Sequence, residues 1–203
     1  MANDGLTNIE RRISPRYFFT SDLWLHIGHR KILTMGNGRP FKSIEQHDSE
    51  LIDRWNKKVL SKDDIVYVLG DVFWGKNSDY IKDYLSKLNG RKVLILGNHD
   101  RLIPNIKSNG WLEIVSYKDM VIGTNRIVLS HYPIAEWNGY YYNSYHLYGH
   151  THGMFNLAKE TLVRNISNGN CWDVGVDNNN FEPVSFDEIK EKIENNIRMI
   201  KNG

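Results

Sequence analysis

The chain has 203 residues, of which 40% are hydrophobic and 25% are charged. That length fits one domain with a sizeable core, and this composition excludes general disorder. The formal net charge is only +2, so composition gives no reason to expect a nucleic-acid coat or a membrane surface as the partner.

The same features predict a compartment and a domain organisation. A single cysteine, Cys171, excludes an intrachain disulfide and favours a reducing compartment. No apolar run approaches the ~20 residues of a membrane span, and the polar N-terminus lacks the apolar core of a signal peptide. We therefore expect a cytoplasmic protein without membrane contact, one domain over residues 1–203, and a polar N-terminal extension over residues 1–15.

The first half of the chain alternates between strand and helix patterns. Strands are predicted at residues 17–20, 65–69 and 92–96, and helices at 43–60 and 77–88. Ser43 is the predicted N-cap of the first helix, with Gln46 at the capping-box position. The continuous apolar runs of the second and third strands are typical of buried strands.

The second half consists mostly of strand patterns. They lie at residues 113–117, 120–122, 126–130, 146–149, 162–166 and 171–176. Ser185 opens a final amphipathic helix with isoleucines at helical spacing up to Ile200. Alternating elements followed by strands favour an α/β sandwich with a mixed sheet.

Several of these strand patterns end in side chains that bind metals. The candidates are Asp22 with His26, Asp71, Asn98 with His99, His131, and His150 with His152. Because ligand sites in α/β sheets gather beyond the carboxyl ends of strands, we expect these side chains to converge. A glycine directly before three of these motifs would let the backbone approach the site closely. Imidazole and carboxylate ligands favour Mn, Fe, Zn, Co or Ni, and the absence of cysteine ligands argues against a structural zinc site.

Taken singly, the motifs have simpler explanations. Gly70-Asp71 is commonly a turn, and His131 could be a core histidine, so only the combination predicts a metal site. Arg39 could pair with a substrate phosphate, but a structural salt bridge is an equal alternative. The aromatic segment 137–145 could form a rim on which a base stacks, although a loop that packs its aromatics on the core or at a dimer contact is the more frequent arrangement.

In this order, the motifs resemble those of the calcineurin-like metallophosphoesterases, in particular a compact bacterial and phage branch. The matching motifs are Asp22…His26, Gly70-Asp71, Gly97-Asn98-His99-Asp100, His131 and Gly149-His150-Thr151-His152. The resemblance implies a four-layer α-β-β-α sandwich with mixed sheets and a dimetal site at one edge. It implies a first metal held by Asp22, His26, Asp71 and His152, and a second held by Asp71, Asn98, His131 and His150.

The resemblance also implies a function. The chain would be a dimetal-dependent phosphodiesterase or phosphatase for small phosphoesters, which attacks with a metal-bound hydroxide. His99 would contact the phosphate beside Asn98 and act as general acid, with Asp100 orienting its ring; Arg39 is a further candidate for phosphate binding. Manganese is the first choice for both ions, with Fe, Zn, Ni or Co as alternatives. A nuclease on DNA or RNA and a catalytically silent binding scaffold are the alternative functions, and a homo-oligomer remains open.

One position departs from the family pattern. The family has histidine two residues after the first aspartate, whereas this chain has Trp24 there and histidine only at His26. A bulge or a widened loop could still deliver His26 to the metal. His29 is the other candidate for this ligand position.

Overall fold

The computed structural model describes residues 15–25, 30–34, 38–74, 80–103, 106, 110–163 and 169–202. Almost all of the predicted N-terminal extension therefore lies outside the described residues. So do His26, His29 and residues 77–79 of the predicted second helix.

Nine strands among the described residues form two mixed sheets. They are β1 Tyr17–Thr20, β2 Ile65–Val68, β3 Arg91–Ile95, β4 Glu113–Val115, β5 Lys118–Ile122, β6 Asn125–Leu129, β7 Tyr145–Tyr148, β8 Cys171–Asp173 and β9 Val184–Ser185. The first sheet has the order β4-β3-β2-β1-β9, and the second has the order β5-β6-β7-β8. Strands β1 to β4 run parallel, as do β6 to β8, whereas β9 and β5 are antiparallel edge strands.

The two sheets pack face to face between helical layers, which confirms the predicted four-layer α-β-β-α sandwich. The helices are α1 Ile44–Lys58, α2 Ile81–Lys87, α3 Leu157–Val163 and α4 Phe186–Asn202. Because side chains alternate along a strand, Phe18 packs in the cluster that contains Trp55 of α1, whereas Phe19 packs against Leu129 of the second sheet. On the outer face of the second sheet, Val128 packs with Leu157 of α3.

Helix α1 begins as predicted. Ser43 is its N-cap, and the Ser43 hydroxyl accepts the Gln46 N–H at 3.2 Å. The Gln46 side chain accepts the N–H of Lys42 at 2.8 Å rather than that of Ser43. The helix start is therefore correct, and the capping box is shifted by one residue.

The strand predicted at 162–166 is wrong in its described part. Residues 162 and 163 end helix α3, and residues 164–168 lie outside the described residues. Leu157 and Ala158 are buried against the second sheet, and that burial outweighs the strand preference of the following residues. Strand β9 was not predicted, because its two residues are too few for a periodic pattern.

None of the helices formed by the described residues has the length and apolar character that a membrane span requires.

His146 lies inside the second sheet, away from the strand ends. Its Nδ1–H donates to the Val128 carbonyl at 3.1 Å, and its Nε2 accepts the Ile134 N–H at 3.0 Å. This pair of bonds uses both ring nitrogens in the neutral tautomer. Burial lowers the pKa of His146 to about 4, despite the opposing hydrogen bonds to the backbone.

We expect His146 to make the protein less stable as the pH falls from about 6.5 to about 4. In that range the unfolded chain binds a proton at His146 and the folded chain does not, so the free energy of unfolding drops by up to about 3 kcal/mol. Burial raises the pKa values of Asp71 and Asp100, so these two groups raise the free energy of unfolding as the pH falls. The quantity to measure is therefore the difference between wild type and His146→Gln in urea unfolding from about pH 4.5 to about pH 7. Parallel pH dependences for the two proteins would contradict the assignment.

Candidate metal centre

The loops that follow β1, β2, β3, β6 and β7 meet at one edge of the sandwich. Asp71, His131 and His150 each place one ligand atom within 4.8 Å of the others. The Nε2 of His131 lies 3.5 Å from Asp71 Oδ2 and 3.0 Å from Asn98 Oδ1. The structure thus brings together the four side chains that the family resemblance assigns to the second metal.

Asp22 and His152, which the resemblance assigns to the first metal, also lie together. Asp22 is fully buried, and its Oδ2 accepts the Ser21 hydroxyl at 2.7 Å and the His150 N–H at 2.8 Å. Among the residues that the structure describes, its Oδ1 has no hydrogen-bond partner, and it lies 3.9 Å from Nε2 of His152. A buried carboxylate oxygen without a partner is costly, so this atom fits a cation. His26, the fourth predicted ligand, lies outside the described residues.

Two of the histidines are held in the tautomer that metal ligands need. Nδ1–H of His131 donates to the Leu69 carbonyl at 2.7 Å, and Nδ1–H of His152 donates to Asp177 Oδ2 at 2.7 Å. Because these acceptors hold a proton on Nδ1, Nε2 is the nitrogen that faces the carboxylates in both residues, and it is the atom that a cation would bind. A second hydrogen bond of this kind is characteristic of histidines that bind metals.

Glycines allow the backbone to touch the candidate ligands, as the sequence predicts. A Cβ on Gly97 would lie 2.2 Å from Asp71 Oδ1. A Cβ on Gly149 would lie 2.6 Å from Asp22 Oδ2 and 1.9 Å from the Ser21 hydroxyl. Any larger residue at either position would displace the carboxylate that it contacts.

The same loops contain strained backbone. Positive φ angles occur at the non-glycine residues Asp22 (58°), Trp24 (55°), Asp71 (53°), His150 (69°) and His152 (50°). Each such residue costs on the order of 1 kcal/mol, and the strain persists only where the surrounding structure enforces it. Its concentration in the loops that bear the candidate ligands is typical of a functional site.

Burial and the repulsion between like charges shift the pKa values of the candidate ligands and of His99. Burial raises the pKa of Asp71 above its usual range, and the nearby Asp22 carboxylate raises it further. Burial also lowers the pKa of His99 and of His150. A divalent cation would relieve the repulsion between the carboxylates, and it binds imidazole in this neutral form.

Asp100 has a different role from the expected one. Its carboxylate is fully buried and accepts the backbone N–H groups of Asp71 at 2.8 Å, Val72 at 3.1 Å and Gly97 at 2.9 Å. Burial raises the pKa of Asp100 to about 6. Oδ2 joins the loops after β2 and β3, and Oδ1 bonds to the loop after β2. The carboxylate is thus used by the backbone, which corrects the expectation that Asp100 orients the His99 ring.

Arg39 is corrected as well. It is only 4% exposed, and its Nε and Nη2 donate to the two carboxylate oxygens of Asp177, both at 2.8 Å. Nη2 also donates to the Asp22 carbonyl at 2.7 Å, while Nη1 contacts the Leu23 carbonyl at 3.1 Å and His47 Nε2 at 2.8 Å. All five N–H groups are used inside the protein, so the guanidinium is not available to a phosphate. The structural salt bridge was the correct alternative.

This arginine belongs to a buried network that sequence patterns did not indicate. Asp177 accepts hydrogen bonds from Arg39 and from His152, and these outweigh the effect of burial and hold the pKa of Asp177 at about 2. On the other side of the arginine, Nδ1–H of His47 donates to Asp48 at 2.8 Å, which leaves Nε2 to accept from Arg39. His47 had no predicted role, and no local spacing marks it as part of the site.

The aromatic segment 137–145 does not form a rim around the candidate centre. Trp137 and Tyr140 are buried on the outer face of the second sheet. Tyr142 is 87% exposed but precedes the amino end of β7, whereas the candidate ligands follow its carboxyl end. Trp137 and Tyr140 therefore pack this loop on the core, whereas Tyr142 stays exposed.

Comparisons with known proteins agree with this geometry. A family model described as calcineurin-like phosphoesterase matches residues 15–190. The uncharacterized protein MJ1445 of Methanocaldococcus jannaschii is 33% identical over 170 residues, which cover 83% of this chain and 87% of that protein. The Gene 66 protein of Mycobacterium phage L5 is 29% identical over 181 residues, covering 75% and 84% of the two chains. The crystal structure of AQ665 from Aquifex aeolicus, a protein of unknown function, has a TM-score of 0.62 at 26% identity and covers 88% of this chain and 99% of its own.

Proposed function

Because this chain belongs to the calcineurin-like phosphoesterase family, we propose that it hydrolyses small phosphoesters with the help of two divalent cations. The observation that carries the proposal is the convergence of Asp71, His131 and His150 within 4.8 Å. Beside them lies Asp22, with a buried oxygen for which the described residues offer no hydrogen-bond partner. Manganese, which suits carboxylate ligands, is the first choice for the ions, and Fe, Zn, Ni or Co, which suit imidazole ligands, are the alternatives.

The candidate ligands divide into two sets that share Asp71. Asp22, Asp71, His152 and His26 would hold one ion, and Asp71, Asn98, His131 and His150 would hold the other. When bound, such a pair of cations offsets the negative charge of the phosphate and supplies a nucleophile from water at neutral pH.

His99 is proposed as the proton donor to the leaving oxygen. Its side chain is 28% exposed, and its Nε2 lies 3.9 Å from Asp71 Oδ2, so the ring stands beside the proposed ligands and remains open to a substrate. Its backbone N–H donates to Asp71 Oδ1 at 3.0 Å, which fixes the loop after β3 to the carboxylate that both proposed ligand sets would use. The neighbouring Asn98 would contact the phosphate as well.

His99→Ala is expected to lower kcat on a poor leaving group by 10²–10⁴-fold, which is the usual contribution of general acid catalysis. Metal content should stay at the wild-type level, because His99 is not among the proposed ligands. Steady-state kinetics and elemental analysis of the same preparation measure both quantities. Tyr142→Ala, at the exposed far end of β7, is the control. Full activity of His99→Ala on the poor leaving group would remove the residue from this role.

The function itself is tested with purified protein. Bis-p-nitrophenyl phosphate, p-nitrophenyl phosphate and a 2′,3′-cyclic nucleotide are each assayed with Mn, Ni, Mg, Zn or a chelator. We expect hydrolysis that depends on the added metal and disappears with the chelator. Protein that binds metal but hydrolyses none of these substrates would favour the silent scaffold. Binding to single-stranded DNA with a strong salt dependence would favour the nuclease.

A further inference from the structure

The His99 ring contacts two indoles. Its centroid lies 4.6 Å from the Trp24 ring and 4.7 Å from the Trp74 ring. The two indoles contact each other at 4.8 Å. Among the described residues, no hydrogen bond reaches the His99 imidazole, so its orientation depends on these aromatic contacts.

The backbone places both indoles at the same edge of the sandwich. The loops after β1 and β2 pair with each other: the Trp24 N–H donates to the Asp71 carbonyl at 3.2 Å, and the Leu25 N–H donates to the Val72 carbonyl at 2.8 Å. The pairing continues with the Trp74 N–H, which donates to the Leu25 carbonyl at 3.4 Å. The elements that fix the proposed ligand Asp71 therefore fix the two tryptophans.

Trp24 has two features that a residue selected for stability alone would avoid. Its backbone has a φ of 55°, which is strained for a non-glycine residue. Its side chain is buried, yet the indole N–H has no hydrogen-bond partner in the described part of the chain. A buried tryptophan normally bonds this group, because an unpaired buried donor is costly. The position of the ring next to His99 gives a reason for tolerating both costs.

We propose that Trp24 and Trp74 are positioning residues, which hold the His99 imidazole at the angle that proton donation requires. This inference rests on the proposed function of His99. It also gives Trp24 a role at the position where the family pattern has histidine.

The test uses two substitutions of Trp24 and two diesters. Trp24→Phe keeps an aromatic ring and removes the unpaired N–H, whereas Trp24→Leu removes the ring. Diphenyl phosphate releases phenolate, which is a poor leaving group. On this substrate we expect Trp24→Leu to lower kcat by about 10- to 100-fold, since small misplacements of reacting groups have effects of this size. KM should change by less than about twofold, and the loss should be smaller on bis-p-nitrophenyl phosphate, which needs less help from an acid. Trp24→Phe should retain most of the activity.

A double-mutant cycle with His99→Ala separates the possible outcomes. If Trp24 acts through His99, Trp24→Leu should cause no further loss once His99 is alanine. Trp55→Leu, in the core of the α1 layer, is the control for general destabilisation and should show no dependence on the leaving group. Losses that multiply in the double variant, or a loss equal on both diesters, would overturn the positioning role while leaving His99 as the acid. If His99→Ala alone has no effect, the proposed function of His99 fails and the inference fails with it.

Discussion

Asp71→Asn is expected to remove most of the bound metal and to lower kcat by about 1000-fold. The substitution keeps the size of the side chain and an oxygen for the His99 N–H, so it removes mainly the charge that the two ions would share. Cations contribute several kcal/mol to stabilising the transition state, and each 1.36 kcal/mol corresponds to a factor of ten in rate. Elemental analysis and steady-state kinetics with saturating manganese measure the two losses.

Asp63→Asn is the matched control for the charge change, because Asp63 is an exposed turn residue. It should keep metal and activity. An Asp71→Asn protein that retains its metal and more than a tenth of the wild-type rate would show that Asp71 is not the shared ligand. Loss of activity with full metal content would instead point to a role in binding the substrate.

Arg39→Met is expected to destabilise the protein by about 3–5 kcal/mol, which is the usual effect of removing one partner of a buried ion pair. The Asp177 carboxylate, 17% exposed, would lose both bonds to the guanidinium, and the carbonyls of Asp22 and Leu23 would lose their donors. Because Asp177 holds the His152 ring, metal affinity should also fall by about 10- to 100-fold. Urea unfolding of the metal-free protein and a manganese titration measure the two effects.

Arg126→Met is the matched control. Arg126 also forms a two-oxygen contact with a carboxylate, that of Asp119, but its side chain is 46% exposed. Surface pairs of this kind contribute about 0–1 kcal/mol, so the control should unfold at nearly the wild-type urea concentration and bind manganese normally. Equal destabilisation by the two substitutions would mean that the buried network contributes no more to the free energy of unfolding than a surface ion pair.

The strand and helix patterns predicted an α/β sandwich, the family resemblance implied its four layers, and the polar residues after the strands predicted where the candidate ligands would meet. Asp22, Asp71, His131 and His150 each follow a strand, and the parallel pairing of β1 with β2 and of β6 with β7 brings the carboxyl ends together. Residue type and position relative to a strand are local properties, so they are visible in the sequence. The same holds for the N-cap Ser43, whose hydrogen bond to Gln46 spans three residues.

Only the tertiary structure shows whether a polar side chain is open to a substrate or is used inside the protein. Arg39 meets Asp177 across 138 residues of sequence, and only the folded chain shows that this contact uses the guanidinium fully. Asp100 follows His99 directly, but its carboxylate turns to the backbone of a neighbouring loop. Trp24 has the spacing of a ligand, but its ring contacts those of His99 and Trp74. Hydrogen-bond donors and acceptors are satisfied by whatever the fold brings near them, and contacts between distant segments leave no local pattern in the sequence.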